Sequence, residues 1–314
     1  MAKFYAILLS ILIPFSAAGQ QPRSAKDFSE RGIKRYTTGD YEGAAADFTV
    51  EIRLTSSAAV SKKEIIQGYA GSDLQPFSIS HDVTVIDPRT AGALVNRGNA
   101  FFAMNRVAEA IEDYSRAIAI RPAMKEAYVC RGTALMIAKD FHAAEADYSK
   151  ALKLDPTYVK ALVGRAMVRF DNGNRTLAFE DFDRAISIAP ESDEAWHTRG
   201  EAKRMSGDSN GALADFERAL ILKPNNPMAL LGRGIIRLNR REFAGAIEDL
   251  TMTIKLDPRL PQGYRNLGYA LYAVGRFDEA ERHFAKSIDL APEFRDEIGR
   301  NKASIDRLLH RKRE

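Results

Sequence analysis

The sequence predicts an all-α fold assembled from repeated pairs of antiparallel helices. Three observations carry the prediction. The first is a period of 34 residues, which steps from Gly98 to Gly132, Ala166, Gly200, Gly234 and Gly268. The second is an unbroken series of alanines (Ala110, Ala144, Ala178, Ala212, Ala246, Ala280) and prolines (Pro122, Pro156, Pro190, Pro224, Pro258, Pro292) at the same period. The third is a large apolar residue four places after each alanine: Tyr114, Tyr148, Phe182, Phe216, Leu250 and Phe284. A fixed period of this length marks a stacked array in which each unit buries its apolar face on its neighbours.

With Ala91 as position 1, positions 4, 8 and 11 share one face of a first helix. Positions 20, 24, 27 and 28 share one face of a second. The small residues at 8 and 20 let the two helices cross closely, which offsets the ~1 kcal/mol that a glycine costs in a helix interior. Turns such as Asn172-Gly173-Asn174, Ser206-Gly207-Asp208 and Val274-Gly275-Arg276 suit a left-handed cap between the helices. The proline at position 32 lacks an amide hydrogen and ends the second helix. Six such units run without a gap over 91–294.

An earlier copy lies over 25–54, where Arg31, Gly32, Gly39, Asp40, Tyr41, Ala44 and Phe48 fall on the same positions. Arg31 and Arg97 are 66 residues apart instead of 34, so the segment over 55–88 is extra. Two readings of it stand. It is a degenerate repeat with a helix from Ala58 to Tyr69, or it is an insertion whose alternation Phe77, Ile79, His81, Val83, Val85 has the strand period. After the sixth unit, residues 295–314 read as a polar capping helix with Ile298, Ile305 and Leu308, followed by the basic tail His310-Arg311-Lys312-Arg313.

The first 19 residues have the layout of a secretory signal peptide. Lys3 precedes an apolar run from Phe4 to Phe15, and the small residues Ser16, Ala17, Ala18 and Gly19 follow. The expectation is export, to the periplasm or the medium; the alternative is an inner-membrane anchor formed by residues 4–18. Cys130 is the only cysteine, so no intrachain disulfide contributes.

One feature departs from an apolar repeat. Position 7, beside the core stripe, is Arg97, Arg131, Arg165, Arg199 and Arg233. Position 23 of the second helix is Asp113, Asp147, Asp181, Asp215 and Asp249. Arg31 and Asp47 repeat the combination upstream, and in the sixth unit both change together, to Leu267 and His283. Paired change predicts a structural ion pair that bridges the two helices of a unit, or one unit and the next. The guanidinium fork suits two hydrogen bonds to one carboxylate.

The pattern resembles the tetratricopeptide repeat family, W-x2-L-G-x2-Y…A-x3-F…P. Trp196 to Gly200 and Tyr264 to Gly268 carry it, followed by Ala212, Phe216 and Pro224, and by Ala280, Phe284 and Pro292. The resemblance implies a solenoid of about seven repeats, a right-handed superhelix of antiparallel helix pairs, with a C-terminal capping helix. It also implies a partner-binding groove lined by positions 5, 9 and 12 of the first helices. In order these are Val95, Asn99 and Phe102; Val129, Thr133 and Met136; Val163, Met167 and Phe170; His197, Glu201 and Arg204; Leu231, Ile235 and Leu238; and Arg265, Tyr269 and Tyr272. The family's clamp for a C-terminal carboxylate is not matched, because Val95, Cys130 and Gly164 stand where polar residues are needed. The groove residues therefore suit an apolar or amphipathic segment, with a polar contact near Glu201 and Arg204. A second possibility is that positions 5 and 12 pack between neighbouring first helices, or that the C-terminal helix fills the groove.

Signals for chemistry are missing. The histidines show no metal-ligand spacing, and there is neither a phosphate loop nor a nucleophile elbow. The expectation is a non-catalytic scaffold or adaptor with no cofactor and no metal, whose partner is a protein or peptide. The alternatives are a self-associating structural component of the cell envelope that uses the insertion, and an inner-membrane-anchored adaptor. A net charge of +4 argues against a nucleic-acid partner. Membrane contact is expected only through an uncleaved N-terminus or the basic tail.

Overall fold

A computed structural model describes residues 24–56, 60–70, 75–85 and 87–310, with side chains over 24–56 and 87–303. The expected signal peptide at 1–19 and the tail at 311–314 lie outside the described residues. The chain divides into two units, 1–178 and 179–314.

Unit 1 holds the helix pairs α1 (Ala25–Thr37) with α2 (Tyr41–Ser56), α3 (Pro88–Ala103) with α4 (Val107–Ile120), and α5 (Lys125–Ile137) with α6 (Phe141–Leu154), followed by α7 (Val159–Asp171). The next helix, α8 (Arg175–Ile188), contains the division at Ala178. Unit 2 continues with α9 (Asp193–Met205) and α10 (Ser209–Leu222), α11 (Pro227–Asn239) and α12 (Phe243–Leu256), and α13 (Pro261–Ala273) and α14 (Phe277–Leu290). A 3-10 turn, Pro292–Phe294, leads into α15 (Arg295–His310).

Local chemistry sets the helix limits. Ser24 and Asp27 form a reciprocal capping box at the start of α1. Asp140, Ser192 and Asp208 each accept from a first-turn amide of α6, α9 and α10. Asn226 accepts from both Met228 and Ala229 ahead of α11, where Pro227 takes the first turn. Between the helices of each pair one residue is left-handed: Gly39, Asn105, Lys139, Gly173, Gly207, Arg241 and Gly275. Four are glycines, as the turn requires; Lys139 and Arg241 hold the same geometry with a side chain.

Inside each pair the repeat aromatics explain the small residues. A Cβ on Gly98 would stand 2.6 Å from the Tyr114 ring, and one on Gly232 would stand 2.3 Å from Phe216 of the preceding pair. Tyr114, Tyr148, Phe216 and Phe284 are fully or almost fully buried.

The segment between α2 and α3 is a two-stranded antiparallel ribbon, β1 (Val60–Ala70) and β2 (Gln75–Val85), in the register Val60↔Val85 to Ala70↔Gln75. The helix from Ala58 to Tyr69 entertained for a degenerate repeat does not form; β-branched residues and the alternation of β2 decide for strand. The ribbon leaves the stack intact. Helix α3 packs on α2, and Thr90 Oγ1 donates to Thr55 Oγ1 at 2.9 Å across the two roots. The chain is otherwise all-α among the described residues.

Candidate partner-binding faces

The arginines at position 7 are engaged inside the fold. Arg31, Arg97, Arg131, Arg199 and Arg233 each reach the aspartate of their own pair through Nε and Nη2. The two distances are 2.9 and 2.5 Å for Arg31 and Asp47, 2.7 and 2.7 Å for Arg97 and Asp113, and 2.7 and 2.7 Å for Arg131 and Asp147. In unit 2 they are 2.8 and 2.7 Å for Arg199 and Asp215, and 2.9 and 2.7 Å for Arg233 and Asp249. These five aspartates are 2–5% exposed. The remaining nitrogen, Nη1, bonds backwards to the previous second helix: Arg97 to Thr49 (3.2 Å), Arg131 to Ser115 (3.1 Å), Arg165 to Ser149 (3.3 Å) and Arg199 to Asp183 (2.6 Å). One arginine thus ties the two helices of its pair together and ties that pair to the one before. This backward contact was absent from the sequence reading, although Ser115, Ser149 and Asp183 recur with the same period. A second cation joins four of the carboxylates: Arg35 on Asp47, Arg116 on Asp113, Lys203 on Asp215 and Arg237 on Asp249. Asp181 is equally buried.

Burial divides the eighteen expected groove residues. Val95, Asn99, Phe102, Val129, Thr133, Met136 and Val163 in unit 1 are buried, as are His197, Leu231, Tyr269 and Tyr272 in unit 2. These eleven are packed by the chain itself, Tyr269 and Tyr272 in part by α15, so nine of them do not offer surface to a partner and these two do so only without α15. Val95 and Phe102 belong to the buried cluster of α2 to α5, and Leu231 and Tyr272 to that of α11 to α15, so their apolar character serves the interior. Tyr114 OH donates to Asn99 Oδ1 at 2.8 Å, and Thr133 Oγ1 lies 3.0 Å from Tyr148 OH, so position 9 also serves the interior in α3 and α5. Seven remain half-buried: Met167 and Phe170 on α7, Glu201 and Arg204 on α9, Ile235 and Leu238 on α11, and Arg265 on α13. Glu201 and Arg204 form a two-pronged ion pair at 2.8 and 2.6 Å.

Two reactive possibilities close. Cys130 is fully buried, and burial pushes its thiol up to about 12, so no thiolate nucleophile forms near neutral pH. His197 lies 3.1 Å from the Asp193 carbonyl and 3.3 Å from Asn226 Nδ2, and burial lowers its pKa. It is a neutral packing residue at the joint of α9 and α11. No group of three or more candidate metal ligands occurs among the described residues.

In unit 2 the groove face of α13 is covered by α15. Glu297 accepts from Arg265 Nη1 at 2.8 Å, and Asn301 Nδ2 donates to Tyr269 OH at 2.9 Å. The Lys302 ammonium stands 5.5 Å from the Tyr272 ring centroid. Ile298 is 3% exposed and joins the core with Leu231, Tyr269 and Tyr272.

Family models described as tetratricopeptide repeat match residues 91–124, 126–158, 197–261 and 261–294, together about half of the chain. No curated protein matches. Among solved structures, a tetratricopeptide repeat protein from Parabacteroides merdae is 16% identical with a TM-score of 0.60, over 90% of this chain and 99% of that one. Yeast Tom70 is 18% identical with a TM-score of 0.62, over 98% and 70%. A chain of the APC/C hetero-tetramer Cut9–Hcn1 is 17% identical with a TM-score of 0.59, over 68% of this chain and 42% of its own length, so this chain spans less than half of it. Likeness at these identities is a likeness of fold.

Proposed function

The chain belongs to the tetratricopeptide repeat family, and on that premise we propose that it is a non-catalytic scaffold whose first helices bind segments of partner proteins. One observation carries the reading. The groove face of α13 already holds a helix, α15, through an ion pair, a side-chain hydrogen bond and one buried isoleucine. A face that seats a helix of its own chain has the shape and chemistry to seat a protein segment. The half-buried apolar residues Met167 and Phe170 on α7, and Ile235 and Leu238 on α11, are further contact points of the same kind. The layout of residues 1–19 supports export of this scaffold.

Cross-linked affinity capture from the exported fraction tests the reading. The native chain is compared with Phe170→Glu and with Leu238→Glu, after circular dichroism has shown that both fold. A specific protein held by the native chain and lost in either variant supports it. Capture unchanged in both variants removes the groove from the account. Mass spectrometry of the exported chain then tests the signal peptide, for which a mature N-terminus near residue 19 or 20 is expected.

A further inference from the structure

The seat of α15 is incompletely satisfied. Arg265 presents a five-donor fork, but Glu297 meets only Nη1. Its Nε is buried with no partner, and so is Oε1 of Gln262, one turn earlier on the same helix. The position 7 arginines described above use Nε and Nη2 together on one carboxylate, so Arg265 stands out as a half-used anion receptor. The Phe294 ring lies 4.4 Å from the guanidinium carbon and closes the other side. The apolar anchor holding α15 is also slight, although Lys302 adds an ion pair to Glu281 on α14. Among its described side chains only Ile298 is buried, and the others are half-buried or exposed. Buried polar atoms left unpaired favour whatever ligand pairs them.

We propose that the α15 seat is the partner site of unit 2, that its ligand is an amphipathic helix, and that α15 keeps the site closed until such a helix displaces it. The inference rests on the scaffold reading above and names the partner's chemistry. The α15 helix itself gives the pattern: an apolar residue at the place of Ile298, a carboxylate just before it, and a polar donor three residues after it, where Asn301 stands. The incoming helix improves on α15 by giving a carboxylate to the Nε edge of Arg265 and a donor to Gln262. Its apolar side continues toward Ile235 and Leu238 on α11, which belong to the same apolar cluster as Ile298. Because α15 is tethered, only a helix that makes better contacts, or one present at high concentration, opens the site.

The test uses the full-length chain and a fluorescein-labelled peptide with the sequence of residues 295–310, followed by anisotropy. Ile298→Asp removes the tethered anchor, and the peptide is expected to bind this chain at least tenfold more tightly than the native one. Adding Arg265→Glu abolishes that binding. Glu297→Lys, a change at the rim of the seat, gives a second opened chain that does not touch the core and is expected to behave in the same direction. Equal binding to the native and both opened chains, or binding to none of them, overturns the inference. The capture experiment above is independent of this one: if a partner is lost from Leu238→Glu while the peptide never binds, displacement fails and the scaffold reading survives.

Discussion

The fifth and sixth helix pairs solve the same packing problem with opposite chemistry. In α11 and α12, Arg233 grips Asp249 at 2.9 and 2.7 Å, and Arg237 adds a second contact at 2.9 Å. In α13 and α14 the corresponding places hold Leu267, Leu271 and His283. Both leucines are 2% exposed, and the His283 ring lies 6.0 Å from that of Tyr264. The helices have the same lengths, and glycines 234 and 268 meet Leu250 and Phe284 in the same way. An ion pair is therefore not a requirement of the helix pair. The cost of drying two charges offsets most of their attraction, so an apolar substitute of similar volume stands level with it. What the charged version adds is the third contact to the previous second helix, made by Arg97, Arg131, Arg165 and Arg199. A leucine has no means of making it.

Breaking one side of a pair gives the largest effect. Asp147→Ala leaves Arg131 with a half-buried guanidinium facing an emptied site, and a loss of about 3 kcal/mol is expected in urea unfolding. The double change Arg131→Leu/Asp147→His copies the sixth pair and is expected to lose no more than about 1 kcal/mol. If the double variant is as unstable as the single one, the two groups are not acting as a unit.

The upstream pair, α1 with α2, sharpens the comparison by carrying a charge with no such partner. At position 27 the six contiguous pairs have Ala117, Ala151, Ala185, Ala219, Thr253 and Ser287, while the upstream pair has Glu51. Glu51 is 8% exposed and its Oε2 has no partner. Burial raises its pKa from 4.5 to about 7, against the opposing pull of a hydrogen bond from Ser29 and the charge of Arg89. Below about 4.5 the carboxyl is neutral in both states and costs nothing. Between 4.5 and 7 the unfolded chain ionises first, so stability falls as pH rises, and above 7 the deficit is constant. Glu51→Gln is expected to match the native chain at pH 4 and to exceed it by up to about 2–3 kcal/mol at pH 8. A gain independent of pH would show that the charge is not its source.

These contrasts also show what a sequence displays and what it hides. The period, the helix limits and the coupling of positions 7 and 23 were legible because each recurs and the copies check one another. The left-handed turns at Lys139 and Arg241 were hidden, since neither carries the glycine that signals such a turn. The ribbon of Val60 to Val85 was half legible: β2 alternates, whereas Lys62, Lys63 and Glu64 mask the period in β1. The groove was the least legible part. A valine at position 5 reads the same whether it faces a partner or the interior, and only burial shows that Val95, Val129 and Val163 belong to the interior. Nor could sequence show which of two occupants, a partner or α15, covers Arg265.

The smallest expected effect is the most direct check on the opening contrast. Leu267→Arg with His283→Asp would install the missing ion pair in the sixth helix pair. The pair α5 and α6, second of the six contiguous pairs, is the template, because its position 11 is Leu135, matching Leu271, and Arg131 there binds Asp147 without a second cation. Thr251 of α12 stands at the place of Ser115 and supplies the hydroxyl for the backward contact. If the charged and apolar versions are level, the double variant unfolds within about 1 kcal/mol of the native chain. Leu267→Arg alone, burying a guanidinium with no aspartate opposite, loses about 3 kcal/mol or more. A double variant as weak as that single one would mean that the sixth pair is committed to its apolar contacts. The ion pairs elsewhere would then depend on the repeats stacked beside them more than on the two helices they join.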